Sequence, residues 1–329
     1  MKVGITYDLR EDYLRRGFSG EDVAEFDTEE TIGAIQATLV ELGYEVERIG
    51  GFEELAGRLF AGGKMDIVFN ICEGMFGIGR EAQVPALLDA YRIPYVFSDA
   101  AVLAVTLHKG LTKRIVRELR VATPDFAMVD SEEDIENIQL PFPLFAKPVA
   151  EGSGKGICVS SKISSFKALD KVCRDLLRNF QHQVLVERYL PGREFTAGII
   201  GTGKKAKVIG AMEIGFKHDK ERGIYSYESK ANYEKLVEYE RVDNEIFPMI
   251  EEAALKVWRG IGCRDAGRMD FRMDKSGHLN FLEVNPLAGL NPTHSDLPII
   301  CRMYGIPYKD LIRAIMDSAL DRTGIKRRN

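Results

Sequence analysis

The stretch GRMDFRMDKSGHLNFLEVNP, residues 267–286, alternates polar and apolar side chains on both sides of a Lys275-Ser276-Gly277 turn. Successive side chains of a strand point to opposite faces, so Arg268 and Asp270 share one face while Met269, Phe271 and Met273 take the other. On the return, Glu283 and Asn285 share a face and Leu282 and Val284 lie opposite. This pattern predicts a β-hairpin with one apolar face and one face gathering Arg, two carboxylates and an amide. Such carboxylate and amide oxygens are hard ligands suited to Mg²⁺, and an adjacent Arg suits an oxyanion. The plain alternative is a solvated hairpin face with a surface ion pair. The Gly- and Pro-rich loop opened by Asn285-Pro286 favours the metal site, with Asp270, Glu283 and Asn285 as ligands.

The first hundred residues alternate strand and helix. Val3 to Tyr7 reads as a strand, followed by a charged loop from Asp8 to Glu25. Asp27 and Glu30 form a capping-box pattern ahead of a helix with Ile32, Ile35, Leu39 and Leu42 at helical spacing, which Gly43 ends. Strands near Tyr44–Ile49, Asp66–Ile71 and Pro94–Phe97 alternate with helices near 53–60 and 83–90. Repeated βα units imply a doubly wound parallel sheet with helices on its faces. From residue 98 the grammar changes: one helical stretch, Ala100–Leu119, then strands at 126–129, 145–149 and 157–160, a helix near 166–180 and the strand Val184–Arg188. Strands at 194–201 and 207–213, a polar loop to Tyr233, the helix Asn244–Ile261, the hairpin and a final helix near 308–320 complete the chain. The fold class is therefore α/β and α+β, with an N-terminal α/β unit over 1–98 and two α+β units over 99–190 and 191–329.

At 329 residues the chain suits two or three compact domains. A net charge of only −5 gives no reason to expect nucleic acid or an acidic membrane surface as partner. No apolar run approaches the roughly 20 residues that span a bilayer, and MKVGITYD reads as a strand rather than a signal peptide. Five cysteines without a CxxC pair point to reduced, mostly buried thiols in the cytoplasm. Cys72, beside the loop Cys72–Gly79, reads as a core thiol.

Phe145-Ala146-Lys147-Pro148 ends a strand and runs into Glu151-Gly152-Ser153-Gly154-Lys155-Gly156. Glycines let backbone N–H groups approach a phosphate, and Lys147 and Lys155 add positive charge. The loop is no Walker A motif, because Gly156 follows Lys155 where Ser or Thr is required. A plain hairpin turn fits it as well. Downstream, VLVERYLPGRE delivers Glu187 from an apolar strand and Glu194 after a turn. A carboxylate such as Glu187 can accept hydrogen bonds from ribose hydroxyls.

Lys-Pro with a Gly-Ser loop, then VERYLPGREFT, then GRMDFR with LEVNP, in this order and spacing, resembles the ATP-grasp superfamily and, within it, D-alanine–D-alanine ligases. The similarity runs from about Ala24 to Leu311. It implies an ATP-grasp fold: an N-terminal α/β domain plus two α+β domains clasping ATP. It also implies an ADP-forming ligase that joins a carboxylate to an amine through an acyl-phosphate, using ATP and Mg²⁺, for which Mn²⁺ can substitute. The partners implied are ATP and small amino acids, with a homodimer as the family assembly.

By position, the resemblance puts Lys109 and Lys147 on the ATP phosphates and Ser153 on the loop that covers them. Lys230 reaches the phosphates from a mobile loop. Glu187 holds the ribose and Glu194 lies near the nucleotide. Asp270, Glu283 and Asn285 bind Mg²⁺, and Arg268 with the Gly289 N–H stabilises the tetrahedral intermediate. Ser295 faces the carboxylate of the second substrate, and Glu25 receives the amino group of the first.

The chain departs from the family at several places. Glu73-Gly74 replaces the usual His-Gly, Ala231-Asn232 stands where a Tyr is usual, and Gly154 replaces the second Ser of a Ser-Ser pair. A longer charged stretch, Asp8 to Val23, replaces the usual Gly-Gly-x-Ser loop, and LAGLNPTHS is one residue longer. These departures fall mostly on the first-substrate side, with Glu73 as a candidate specificity residue. Other substrates therefore stand beside D-alanine: another amino acid, a peptide or a hydroxy acid. A non-catalytic nucleotide-binding protein would not need Arg268. A nicotinamide-dependent dehydrogenase would need a GxGxxG after the first strand, which is absent.

Overall fold

The structure, a computed structural model, describes residues 1–216 and 237–326. Its N-terminal layer is a three-stranded parallel sheet of β1 (Lys2–Tyr7), β2 (Glu45–Gly50) and β3 (Ile67–Ile71) in the order β2-β1-β3. The chain leaves β1 through α1 (Arg10–Arg15) and α2 (Glu29–Glu41), and leaves β2 through α3 (Phe52–Phe60). With β1 between the other two, the winding reverses there, and ligand crevices form beyond the carboxyl ends of strands at such a reversal. Asp8 follows β1 at that end, and its carboxylate accepts the Gly74 N–H just beyond β3 at 2.9 Å.

Four local expectations are corrected here. The loop Asp8–Glu25 contains α1, anchored by Tyr13, whose hydroxyl donates to Asp8 at 2.8 Å and whose ring meets Phe26 at 4.6 Å. Asp27 does not cap α2. Its backbone is drawn into a parallel bridge with Leu9, so Thr28 becomes the residue before the helix. Pro94–Phe97 makes only a single bridge, Val68 to Tyr95, because Phe97 turns to φ +71° and cannot extend the strand. Ile157–Ser160 is not a strand: a 3-10 turn, Val159–Ser161, precedes a short strand at Lys162–Ile163.

After α4 (Gln83–Ala90), the predicted helix 100–119 is two helices, α5 (Ala100–Leu107) and α6 (Lys109–Glu118). His108 breaks the run at ψ 89°, and its ring caps the Leu111 N–H at 3.2 Å. The break puts Lys109 at the first position of a new helix. A four-stranded antiparallel sheet follows, of β4 (Phe126–Val129), β5 (Leu144–Pro148), β6 (Lys162–Ile163) and β7 (Val184–Arg188), ordered β4-β7-β5-β6. Helix α7 (Phe166–Phe180) covers it, burying Leu169, Cys173 and Leu176 against Leu144, Ala146 and Val186.

The third layer is a five-stranded antiparallel sheet of β8 (Glu194–Ile200), β9 (Lys207–Phe216), β10 (Val237–Arg241), β11 (Ala266–Met273) and β12 (Leu279–Asn285), ordered β10-β9-β8-β11-β12. Helix α8 (Phe247–Ile261) lays Ile250, Ala254, Val257 and Trp258 on its apolar face, against Phe195, Met269 and Phe271. Helix α9 (Asp296–Met303), which the sequence reading missed, and α10 (Tyr308–Thr323) bring Leu297, Leu311 and Ile315 into one core with Val3, Ile5 and Phe69. The far end of the chain thus completes the core of the first sheet. No helix among the described residues is long and apolar enough to cross a membrane, and all five cysteines are free.

Candidate active site

The four- and five-stranded sheets face each other across a cleft lined from both. Its inner wall is cationic. Glu187 on β7 pairs in register with Phe145 on β5, so Lys147, two residues on, shares its face. The Lys147 ammonium lies 3.2 Å from Glu187 and 3.9 Å from Glu283. Burial works against its charge, but the two carboxylates outweigh burial and hold its pKa above the ordinary lysine value. Lys109 donates to the Glu151 carbonyl at 2.5 Å and stands 3.7 Å from Glu283. Burial lowers its pKa, with Glu283 opposing. Phe145, Ile157, Leu190 and Leu282 add apolar lining, and Glu194 lies on the wall with Arg272 at 2.9 Å.

The opposite wall is the predicted hairpin, formed as β11 and β12. Arg268 stands opposite Asn285 and Asp270 opposite Glu283, so one face does gather the four side chains. Asp270 accepts from Arg268, from Asn285 at 3.4 Å and from Thr196 of β8 at 2.9 Å. Arg268 also lies 3.6 Å from Asp296. Burial works against its charge, yet Asp270, Asp296 and Glu283 hold its pKa above the usual arginine value. Among the described residues no three His, Cys, Asp or Glu side chains cluster as a metal site. The candidate set is two carboxylates plus the Asn285 amide, and its hard oxygen donors fit Mg²⁺ and leave room for phosphate oxygens and water.

Gly152, Gly154 and Lys155 of the glycine loop also line the cleft. Ser153 sits at φ +50° and Gly154 at φ +73°, so the loop turns left-handed twice in succession. A second Ser at 154 would adopt that conformation at a cost that Gly avoids. Gly152 meets Glu25 closely: its N–H donates to one Glu25 oxygen, and a Cβ there would collide with that carboxylate. Across the site, Ser295 precedes α9 and its hydroxyl accepts the Asn291 N–H at 3.0 Å. A Cβ on Gly289 would approach that hydroxyl to 2.8 Å. Asn291 pins this return loop to α2 by donating to Thr31 at 3.1 Å.

The family model of the D-Ala–D-Ala ligase C-terminus matches residues 115–317. A protein of Aquifex aeolicus named D-alanine–D-alanine ligase is 35% identical, over 86% of this chain and 92% of its own. The chain belongs to the D-alanine–D-alanine ligase family. A relative of the same name from Thermotoga petrophila is 32% identical over 87% of this chain and 90% of its own. The D-alanine–D-alanine ligase of Bacillus anthracis, solved in complex with ATP, superposes with a TM-score of 0.74 at 20% identity, covering 98% of this chain and 99% of that one. VanG D-Ala:D-Ser ligase of Enterococcus faecalis gives 0.73 at 20%, over 97% and 99%. The fold is the ATP-grasp fold these structures share.

Lys113 was not anticipated. It lies one helical turn after Lys109, a spacing that puts both on one face of α6 and was a usable signal. Fully buried, it pairs with Glu187 at 2.8 Å and donates to Thr123 at 2.9 Å. Arg80 was also missed, its only signal being one Arg at the end of the Gly-rich run GMFGIGR. It pairs with Glu25 at 2.6 Å. Glu73 joins this group: burial first, then the charges of Glu81 and Glu25, push its pKa well above the ordinary value. Cys72 is buried beside Gly50, and burial likewise raises its thiol. Lys230, Ala231 and Asn232 lie outside the described residues.

Proposed function

We propose that this chain is an ATP-dependent ligase that joins a carboxylate to an amine through an acyl-phosphate, releasing ADP and phosphate. The carrying observation is the cleft itself, with lysines on one wall and Arg268, Asp270, Glu283 and Asn285 on the other. A carboxylate is a poor electrophile until its oxygen is converted to a leaving group. Its oxygen attacks the γ-phosphorus, the bond to the bridging oxygen breaks, and ADP leaves. The acceptor's neutral amine then attacks the acyl carbon, the bond to the phosphate oxygen breaks, and the nitrogen sheds a proton.

Lys109 and Lys147 are assigned to the ATP phosphates, whose negative charge would otherwise repel a second anion. Asp270, Glu283 and Asn285 would hold Mg²⁺, or Mn²⁺ in its place; a divalent ion there neutralises phosphate charge. Glu187 was expected at the ribose, but its carboxylate already grips Lys113 and Lys147. We therefore assign it to bracing Lys147 and give the ribose side to Glu194, which lines the cleft and pairs with Arg272 at 2.9 Å. Arg268 and the Gly289 N–H meet the charge on the tetrahedral intermediate. Ser295 receives the acceptor's carboxylate, and the loop carrying Ser153 shields the acyl-phosphate from water. Glu25 and Glu73 border the donor, and Lys230 completes the phosphate side. The relatives' name makes D-alanine the first acceptor to test. A donor other than D-alanine is the second reading, favoured by the Arg80–Glu25 pair.

The test is ATP-dependent phosphate release with Mg²⁺ on D- and L-amino acids, singly and in pairs, with products identified by mass. Phosphate release coupled to an amide product supports the ligase. Tight ATP binding with no phosphate release from any pair would move the reading to a non-catalytic nucleotide-binding protein or to a substrate outside this panel. The homodimer implied by the family is tested separately by light scattering.

A further inference from the structure

Arg80 stands on the 3-10 turn Arg80–Ala82, beyond the loop that leaves β3. Its side chain is 6% exposed and that of Glu25 is 7% exposed. The guanidinium donates to Glu25 at 2.6 Å and to the Ala150 carbonyl at 2.7 Å, and stands 3.6 Å from Glu151. The other Glu25 oxygen accepts the Gly152 N–H. Both oxygens of the carboxylate are thus engaged. Burial works against the charge on Arg80, but Glu25 and Glu151 hold its pKa above the ordinary arginine value. A substrate ammonium could take Glu25 only by leaving this guanidinium buried without its main partner, which is strongly unfavourable.

Beside the pair opens a second cavity of about 520 Å³, lined by Asp22, Phe76, Arg80, Lys155, Phe180 and His182 together with Glu25 and Glu151. Glu151 and Lys155 line this cavity and the ATP cleft alike, so the two adjoin. Pockets of roughly 300–1,000 Å³ hold drug-sized ligands, so this one takes far more than an alanine. Its inner carboxylates are already matched with cations. Glu25 holds Arg80, while Glu151 holds Lys155 at 2.7 Å and His182 at 3.0 Å. Exposed Asp22 accepts the backbone N–H and hydroxyl of Ser19 at 2.9 and 2.7 Å. Arg80 and Lys155 are N–H donors, the groups that carbonyl oxygens of a peptide require.

Resting on the ligase reading above, we propose that the carboxyl donor is an amino acid whose α-nitrogen is acylated, as in a peptide or N-acyl amino acid. Its N-terminal part occupies the second cavity, and Arg80 sets this preference by holding Glu25. The chemistry is unchanged: the donor's terminal carboxylate attacks the γ-phosphorus of ATP, ADP leaves, and the acceptor amine displaces phosphate. Arg80 is a positioning residue, acting through Glu25.

The experiment uses the full chain with ATP, Mg²⁺ and D-alanine as acceptor. The donors are free alanine, N-acetylalanine, dipeptides ending in alanine, and lactate, each in D and L forms, with products read by mass. Acylated donors are expected to exceed free alanine in kcat/KM by roughly tenfold or more, since a charged group without its counter-ion is rejected. R80K should keep that ratio. R80Q, which frees Glu25, should narrow it about tenfold or more, mainly through KM, by admitting free alanine. Free D-alanine used as well as the acylated donors overturns the proposal, as does an R80Q that folds and leaves the ratio unmoved. Lactate turned over while peptides are silent also overturns it, because the second cavity is then unused. If R80Q does not fold, the wild-type donor panel decides alone. Silence with every donor, repeated with the other D- and L-amino acids as acceptors, overturns the ligase reading itself, an outcome distinct from a changed donor order.

Discussion

A lysine removed from water keeps its proton only where carboxylates repay the lost hydration, and two lysines on one carboxylate cannot both be repaid fully. Lys113 and Lys147 share Glu187, and Lys147 also stands 3.9 Å from Glu283. Burial accordingly lowers Lys113 to about 8, with Glu187 opposing, while Lys147 stays above the usual range. Glu187, though buried, is held below the ordinary carboxylate value by the two cations. Of these two lysines, the one whose charge is favoured more strongly, Lys147, is thus the one that lines the cleft. Arg268 is treated the same way by Asp270 and Asp296. Arg268→Ala should remove a donor to the tetrahedral intermediate and lower turnover by about 3 kcal/mol, a hundredfold or more. ATP affinity should change little. Steady-state kinetics with parallel nucleotide binding checks this, and unchanged turnover would sink the oxyanion role.

At the scale of elements, helix ends and strand breaks place the chemistry. His108 interrupts a helix so that Lys109 opens α6, and Phe97 ends a bridge by turning left-handed. The start of α2 carries a pH signature. Burial lifts the Asp27 carboxyl to about 7, with the Thr31 hydrogen bond opposing and Asp8 adding to the rise. Because the folded value is raised above the ordinary 3.8, the stability tied to this proton is complete below that pH and is lost as pH rises through about 7. Asp27→Asn should therefore gain in melting temperature relative to the wild type as pH rises from about 5 to about 8. A constant difference across that window would remove Asp27 from the account.

Across the whole molecule, one buried carboxylate ties the ends together. Asp265, fully buried, accepts the Phe97 N–H at 2.8 Å, the Ser318 hydroxyl at 2.8 Å and the Thr202 hydroxyl at 3.1 Å. Arg322 pairs with it at 2.8 Å and donates to the Tyr95 carbonyl, also at 2.8 Å. The end of the first sheet, the β8–β9 turn and helix α10 therefore meet at one side chain. Asp265→Ala would leave Arg322 without its carboxylate and should cost about 3–5 kcal/mol of stability, read by urea unfolding. A loss within about 0.5 kcal/mol, the range of ordinary surface changes, would show that the ends are held by apolar packing alone.

What the sequence determined by itself is whatever depends on local period and order. The alternation of GRMDFRMD and LEVN placed Arg268, Asp270, Glu283 and Asn285 on one face, and β11 and β12 pair them in that arrangement. The ordered motifs carried the family and its fold. Tertiary structure decided which charges meet. Arg80 and Glu25 lie 55 residues apart, and Lys113 and Glu187 also come from different elements, so neither pairing leaves a periodic trace in the chain. It likewise decided that α10 closes the first core, and that Leu9 draws Asp27 out of its capping role. Charge pairing and burial are properties of a folded neighbourhood, and short-range pattern specifies only the faces that such a neighbourhood brings together.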